Sequence, residues 1–421
     1  MRNHRSGSLK KRMQKHRLGL GFCAALVVLC QDVGAIEASD LLLFSWEPVT
    51  LKPQLALAEV YNDNLFSHPT RKQADLTTVI SPGLIVLVGK RTDDHLSLSY
   101  TFNQYFYADR TDLDTSEHLI EFSNHLEGKR IGLRGTDRVQ FLSSPVGTET
   151  KVLDPQAVDR PFVVTEANIE RLTLYDNYTL SYRTTEKTSV YAQGLHSTID
   201  YEEGVRLTDI TTYSVTGGFG FQAFPKTVVF GETYYGTTSS EPNTPALKLP
   251  DVTFFGGALG ARGNFTPKLA GIIRAGYETR ELEDGTSLPG APIVNLGLTY
   301  QYSPKTTFSL NYIRRQDVSI YFEQQSYVSD VVSVSATQAL GSKGKWRATL
   351  GGYYGLYDYT RTATLLERNY DVYVAYFTLA YQIQLWLTAS LSYDRTSVLG
   401  GSREITAYDV NRVTLRLSVG Y

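Results

Sequence analysis

The last nine residues, Val413-Thr-Leu-Arg-Leu-Ser-Val-Gly-Tyr421, alternate without a break. Val413, Leu415, Leu417, Val419 and Tyr421 fall on one side of an extended chain. Thr414, Arg416, Ser418 and Gly420 fall on the other. A period of two belongs to a strand. A strand with one apolar and one polar face, ending on an aromatic residue, is the unit of a barrel that meets lipid outside and water inside.

Working backward, the same pattern recurs. Leu96, Leu98, Tyr100 and Phe102 alternate with Ser97, Ser99, Thr101 and Asn103. Tyr213, Val215, Gly217, Phe219 and Phe221 alternate with Ser214, Thr216, Gly218, Gly220 and Gln222, and Val294, Leu296, Leu298 and Tyr300 with Asn295, Gly297 and Thr299. Tight turns are expected near Lys90-Arg91, Lys129-Arg130, Glu186-Lys187, Pro225-Lys226, Pro267-Lys268, Pro304-Lys305, Lys343 and Ile383. Proline at three of them presets the turn dihedral and cannot continue a central strand. Turns about forty residues apart correspond to two strands, a short turn and a longer loop, so the pattern predicts an antiparallel up-and-down barrel of about 18 strands (16–18). The longer connections fall at 62–73, 108–115, 143–164, 202–208, 238–250, 282–291 and 398–407 and hold many of the acidic residues. An even strand number with short turns on one side puts both termini in the periplasm. A β-propeller would repeat at a similar length, but its blade signatures are missing. No segment beyond the N-terminal region approaches the ~18 apolar residues of a membrane-spanning helix.

The N-terminus reads as a secretory signal. Arg2, Arg5, Lys10, Lys11, Arg12, Lys15 and Arg17 precede the apolar run Leu18–Cys30, and Val33-Gly34-Ala35 offers a cleavage site. That run is too short for a permanent span. The expected organisation is a signal peptide (1–35), a short periplasmic segment (36–49) and an outer-membrane β-barrel (50–421). Both cysteines, Cys23 and Cys30, lie in the signal, so disulfides and thiol chemistry are excluded from the mature chain. Seven of the 41 Lys and Arg but one of the 43 Asp and Glu are removed with it, leaving a balance of −8, which disfavours nucleic-acid binding.

Two motifs near the start of the barrel are more specific. Asn62-Asp63-Asn64-Leu65-Phe66 is followed by Ser81-Pro82-Gly83-Leu84 after Ile80. This combination, with the tyrosine-rich strand 100–107, resembles the outer-membrane β-barrel porin family found with exopolysaccharide operons and PEP-CTERM/exosortase protein-sorting systems. The resemblance covers residues 50–421. It implies an outer-membrane, porin-like barrel associated with exopolysaccharide export or assembly. On physical grounds, Asn62, Asp63 and Asn64 tolerate left-handed turn geometry and form the first outer loop, and Pro82 within a strand implies a bulge or an edge.

Chemistry-bearing residues are sparse. The five histidines past the signal, His68, His95, His118, His125 and His196, have no metal-ligand spacing. Ser197 stands beside His196, but neighbours on a strand point to opposite faces, so no hydrolase and no cofactor is expected. The inward positions are more informative: Arg134, Arg138, Arg171, Arg183, Arg274, Arg347 and Arg416, with Glu121 and Glu278. An arginine facing lipid at mid-membrane costs about 2–4 kcal/mol, so these belong inside. There they either select anions or brace the wall as ion pairs, and the sequence leaves both open. The loop 143–164, with Pro145, Pro155 and Pro161, folds into the pore if it follows the general porins. No plug domain precedes the first strand, which disfavours an energised transporter.

The expected function is therefore a porin-like channel, the alternative a plugged barrel that anchors a polysaccharide or surface assembly. Expected partners are outer-membrane lipid, polysaccharide or small anionic solutes, and the barrel-assembly machinery, which such C-terminal strands engage through residues like Leu415, Leu417, Val419 and Tyr421. Mass spectrometry of the outer-membrane form is expected to show Ile36 as the mature N-terminus. Retention of Cys23 or Cys30 overturns the signal assignment.

Overall fold

The structure, a computed structural model, describes residues 42–90, 94–144, 167–202, 207–242, 250–318, 326–359, 368–400 and 407–420. The signal segment, the 143–164 loop beyond Ser144 and Tyr421 lie outside them. The strands are β1 (Phe44–Trp46), β2 (Val49–Asn62), β3 (Asp75–Gly89), β4 (His95–Tyr107), β5 (Thr115–Glu127), β6 (Ile131–Ser144), β7 (Ile169–Arg183), β8 (Thr188–Tyr201) and β9 (Thr208–Phe224). They continue as β10 (Thr227–Pro242), β11 (Val252–Asn264), β12 (Leu269–Leu282), β13 (Ser287–Ser303), β14 (Thr306–Val318), β15 (Ser326–Leu340), β16 (Trp346–Tyr359), β17 (Arg368–Gln384), β18 (Leu387–Gly400) and β19 (Tyr408–Val419).

From β2 onward each strand pairs antiparallel with the next, and β19 pairs back with β2 from Arg412↔Asn62 to Val419↔Leu55. The result is a closed barrel of 18 strands, β2 to β19, with the three-residue β1 folded as a short ribbon against the start of β2. Closure is what lipid demands, because an open edge leaves unpaired N–H and C=O groups with no water to satisfy them.

Register carries one face around the barrel. Val413 and Leu415 on β19 stand beside Tyr61 and Glu59 on β2, and Leu57 on β2 beside Ile80 on β3. On that face the large apolar side chains are exposed: Leu259, Val334, Leu350, Leu391, Leu415 and Tyr235 in the middle of their strands, and Phe141 and Phe255 toward the outer ends. This face therefore meets lipid, and aromatic residues stand nearer its rims. At the opposite rim Trp346 and Tyr381 stack at 4.4 Å.

Three local expectations change. The last short turn is Leu385-Trp386, and Ile383 lies inside β17, because a register shift at Gln382/Gln384 adds a residue to that strand. The stretch 282–291 is mostly strand: β13 begins at Ser287 despite Pro289 and Pro292, accommodated by a register shift opposite Glu278/Arg280. Two further outer connections, 319–325 and 360–367, separate β14 from β15 and β16 from β17. Pro82 causes neither a bulge nor an edge. It pairs with Leu55 on β2, while the ladder to β4 is interrupted between Ile80↔Gln104 and Gly83↔Thr101, which leaves the missing N–H on the β4 side.

Aspartate at Leu415 and Leu417, on the lipid face, is expected to abolish insertion into the outer membrane. Aspartate at Thr414 and Ser418, on the other face, is expected to leave most of the protein folded. Heat-modifiable migration on gels separates the two cases, and equal loss from both pairs contradicts the facing.

Candidate functional site

The face opposite the lipid-exposed one lines the interior. Register puts Glu121 beside Arg138, His125 beside Arg134 and Arg171 beside Leu142 there, with Arg183 further along β7. Arg274 and Glu278 share that face on β12, Arg347 stands there on β16 and Arg416 on β19. The histidines divide. His95 and His125 face inward and stack at 5.8 Å. His118 and His196 face outward with the lipid-facing set, and Ser197 faces inward.

Most inward arginines meet carboxylates. Arg138 reaches Glu121 at 2.9 Å, Arg274 reaches Glu232 at 2.5 Å and Arg280 reaches Glu278 at 2.7 Å. Arg412 pairs with Asp394 at 3.0 Å, Arg315 with Asp317 at 2.8 Å, and Glu127 lies 3.2 Å from Arg183 and 3.7 Å from Arg134. The sequence reading named only Glu121 and Glu278 among the acids. Glu127, Glu232 and Asp394 carry the same inward parity and were visible by the same rule.

Two networks on β8–β12 include tyrosines. Tyr191 donates its hydroxyl to Glu232 at 2.5 Å, and Tyr234 donates to Glu278 at 3.0 Å. Arg262 lies over the rings of Tyr191 and Phe230 at 5.4 and 5.3 Å. These rings lie flat on the wall because the strands opposite carry glycine: a Cβ at Gly218 would sit 2.1 Å from the Tyr191 ring, and one at Gly256 would sit 2.3 Å from Tyr234. Glycine here admits a ring against the backbone and keeps the aromatic out of the lumen.

A smaller set is left over. Among the described residues Lys52, Arg262, Arg347 and Arg416 face inward in the half nearer the short turns and form no ion pair; Arg262 is held over the rings of Tyr191 and Phe230, which leaves Lys52, Arg347 and Arg416. Arg347 is the second residue of β16, Lys52 the fourth of β2, and Arg416 lies near the end of β19.

The outer mouth is built by the motif that opens the barrel. The β19–β2 ladder stops at Asn62, so the last strand runs on unpaired toward its outer end. Asn64 bridges that gap: its Nδ2 donates to the Asp409 carbonyl and to the His68 carbonyl, both at 2.8 Å, and its Oδ1 accepts from the His68 N–H at 2.9 Å. The Asp63 carboxylate accepts from the Asn411 N–H and Nδ2, each at 2.7 Å, and Asn62 Oδ1 accepts from the Asn64 N–H at 2.9 Å. Leu65 and Phe66 then turn inward and are buried with Tyr107 and Leu113. Arg110 stacks over Phe66 at 4.7 Å. Asp75 fixes the neighbouring loop by accepting from the N–H groups of Ala108, Asp109 and Arg110. The motif is thus a clasp over the closure seam. Next to the clasp, along β15 to β19, Tyr327, Tyr353, Tyr357, Tyr359 and Tyr370 bury their rings with Val372, Val398 and Val410.

His196 belongs to a different arrangement, on the outside wall. Its Nδ1 lies 2.7 Å from Asp176 Oδ2 and its Nε2 3.0 Å from Thr198 Oγ1. Acid, imidazole and hydroxyl in line have the order of a hydrolytic triad. A hydrolase also needs preorganised donors for a developing oxyanion, and the backbone here is committed to the β7–β8–β9 ladder. Asn64→Ala is expected to cost about 1–3 kcal/mol, the range for leaving buried hydrogen-bond partners unsatisfied, and to speed proteolysis within 63–74. A melting curve unchanged by this substitution contradicts the clasp.

Among solved structures, OccK3 (OpdO) of Pseudomonas aeruginosa aligns at 10% identity with a TM-score of 0.45, over 88% of this chain and 95% of that one. OccAB3 of Acinetobacter baumannii aligns at 12% identity and 0.45, over 88% and 99%. The ferric citrate transporter FecA aligns at 9% identity and 0.44, over 90% and 79%. No curated protein matches. The family model described as Putative beta-barrel porin 2 matches residues 49–421, which is the whole barrel with its clasp motif. The chain therefore belongs to that family, as a porin-like β-barrel of the outer membrane.

Proposed function

We propose that the barrel is an open channel with a mild preference for anions, suited to acidic sugars and working beside exopolysaccharide export or assembly. The observation that carries the preference is the division of the inward charges. Glu121, Glu232, Glu278 and Asp394 each hold an arginine, whereas Lys52, Arg347 and Arg416 face the interior with no carboxylate partner among the described residues. Paired charges brace the wall and contribute little net field. Fixed unpaired cations in a narrow aqueous passage raise the local concentration of anions. Support for an open lumen comes from the strand number, since barrels of this size enclose water, and from the rings of Tyr191 and Tyr234 lying flat against glycine. The link to exopolysaccharide rests on the motif resemblance alone.

Arg274 drops out of the selecting set, because Glu232 neutralises it at 2.5 Å. Planar-bilayer reversal potentials across a salt gradient are expected to show mild anion selectivity. Replacing Lys52, Arg347 and Arg416 together by glutamine is expected to remove it. Selectivity is also expected to fade as salt rises, since the screening length is about 10 Å at 0.1 M and shorter above. Cation selectivity in the unmodified protein contradicts the model, and a folded protein with no conductance favours a plugged barrel that serves as an anchor.

A further inference from the structure

The outward wall of β5–β10 breaks the apolar band of the barrel. Asp137 on β6 stands directly beside Asp176 on β7, and Asp176 beside His196 on β8, in one row across three strands. Asp176 is the central residue of the 15-residue β7, and Asp137 is equally central in β6. The same outward face carries Leu180, Phe141, Val215 and Phe219, all exposed, so the row lies at the depth of the membrane interior. Tyr178 donates its hydroxyl to Asp137, and its ring lies across Gly135, whose added Cβ would meet it at 2.3 Å. Beneath that ring Asn124 is buried, and its Oδ1 has no hydrogen-bond partner. His196 stacks on Tyr213 at 4.6 Å.

Beside the row is a groove of about 460 Å³ lined by Asp176, Tyr178, His196, Tyr213, Val215 and Tyr235. Gly194 and Gly217 leave open space on this wall, for a Cβ at either would touch nothing within 4 Å. Groups that ionise at mid-membrane normally face protein or water and have a partner. Carboxylates directly opposite each other on a sheet repel. Here, His196 meets Asp176 alone, Asp137 has only the Tyr178 hydroxyl, and no lysine or arginine stands on this face anywhere in the described residues of β5 to β10. Among the described residues of β5 to β10, none supplies a cation to the row on this face.

A second copy of this chain is a poor source. Among the described strand residues, the outward-facing cations are Arg314 and Arg395, and each already faces a carboxylate: Asp330 at 2.7 Å and Asp409 at 3.5 Å. We propose that the Asp137–Asp176–His196 row and its groove form a docking surface inside the membrane for a different protein, whose membrane-embedded segment presents a lysine or arginine to the two aspartates. The glycine-floored groove receives the side chains flanking that cation, and Tyr178 and Tyr213 wall it.

The test is carried out with the folded barrel in phosphatidylcholine vesicles. Since the mature chain has no cysteine, Lys226→Cys places a single donor dye in the short turn below the groove. The probes are acceptor-labelled membrane-spanning polyleucine peptides of about 20 residues, one with a central lysine, one with a central glutamate and one with leucine throughout. The lysine peptide is expected to give energy transfer at about tenfold lower peptide density than the leucine peptide, and the glutamate peptide none above leucine. Asp137→Asn with Asp176→Asn is expected to erase the lysine preference while the barrel stays heat-modifiable. Asp176→Lys is expected to reverse it toward glutamate. Equal transfer for all three peptides overturns the proposal. So does self-association of the barrel that disappears in the asparagine variant, which identifies a second copy as the occupant.

Discussion

Everything in this molecule depends on one requirement: each backbone N–H and C=O within lipid must find a partner in the chain itself. Seventeen of the ladders between neighbouring barrel strands join consecutive strands and are helped by a short turn or a loop. The eighteenth, β19 to β2, joins the two ends of the sequence and has no covalent help. It is also short, from Arg412↔Asn62 to Val419↔Leu55, against a β2–β3 ladder that spans all of β2. Asp63 and Asn64 compensate by hydrogen bonding directly to Asn411 and Asp409. The chemistry of a turn-forming asparagine, two donors and one acceptor on a short arm, suits this task, since a longer side chain would lose entropy to reach the same atoms.

Alternation made the barrel readable from sequence. One-residue parity decides facing, and parity is conserved through every register pair, so Arg134, Arg274, Arg347 and Arg416 fall inside as their spacing implies. Pairing across strands was not readable. Whether Arg274 meets Glu232 depends on which residue of β10 stands near which residue of β12, two ladders away, and no local pattern encodes that offset. Strand limits failed where proline misled. The stretch 282–291 reads as a loop, yet β13 begins at Ser287 with Pro289 inside it, and a register shift absorbs the irregularity. Connections 319–325 and 360–367 carry no proline–lysine signal and so went unseen.

The wall charges follow the same physics on both faces, with opposite outcomes. Inside, water and opposing carboxylates let arginines stand close together, and tyrosine hydroxyls complete the network around Glu232 and Glu278. Arginine suits this role because its planar fork reaches a carboxylate and a ring face together, as Arg280 does with Glu278 and Phe254. Lys52, Arg347 and Arg416 face the same interior with no carboxylate partner among the described residues.

Outside, the solvent is hydrocarbon, and the tolerance vanishes. Charge near the outer rim is easily explained: Arg314 with Asp330 and Arg395 with Asp409 sit toward the outer ends of their strands, where headgroups begin. Asp137 and Asp176 have no such explanation. They are central in their strands and adjacent, and a single imidazole meets only one of them, Asp176. Had the wall evolved only to face lipid, leucine or valine at these positions would pack as well and cost nothing to desolvate. Retaining two acids, a histidine and a tyrosine around open glycines makes sense only if that surface is covered by something polar. None of the described residues of β5 to β10 covers the row with an opposite charge, so the wall of β6–β9 is the place to look for the proposed partner.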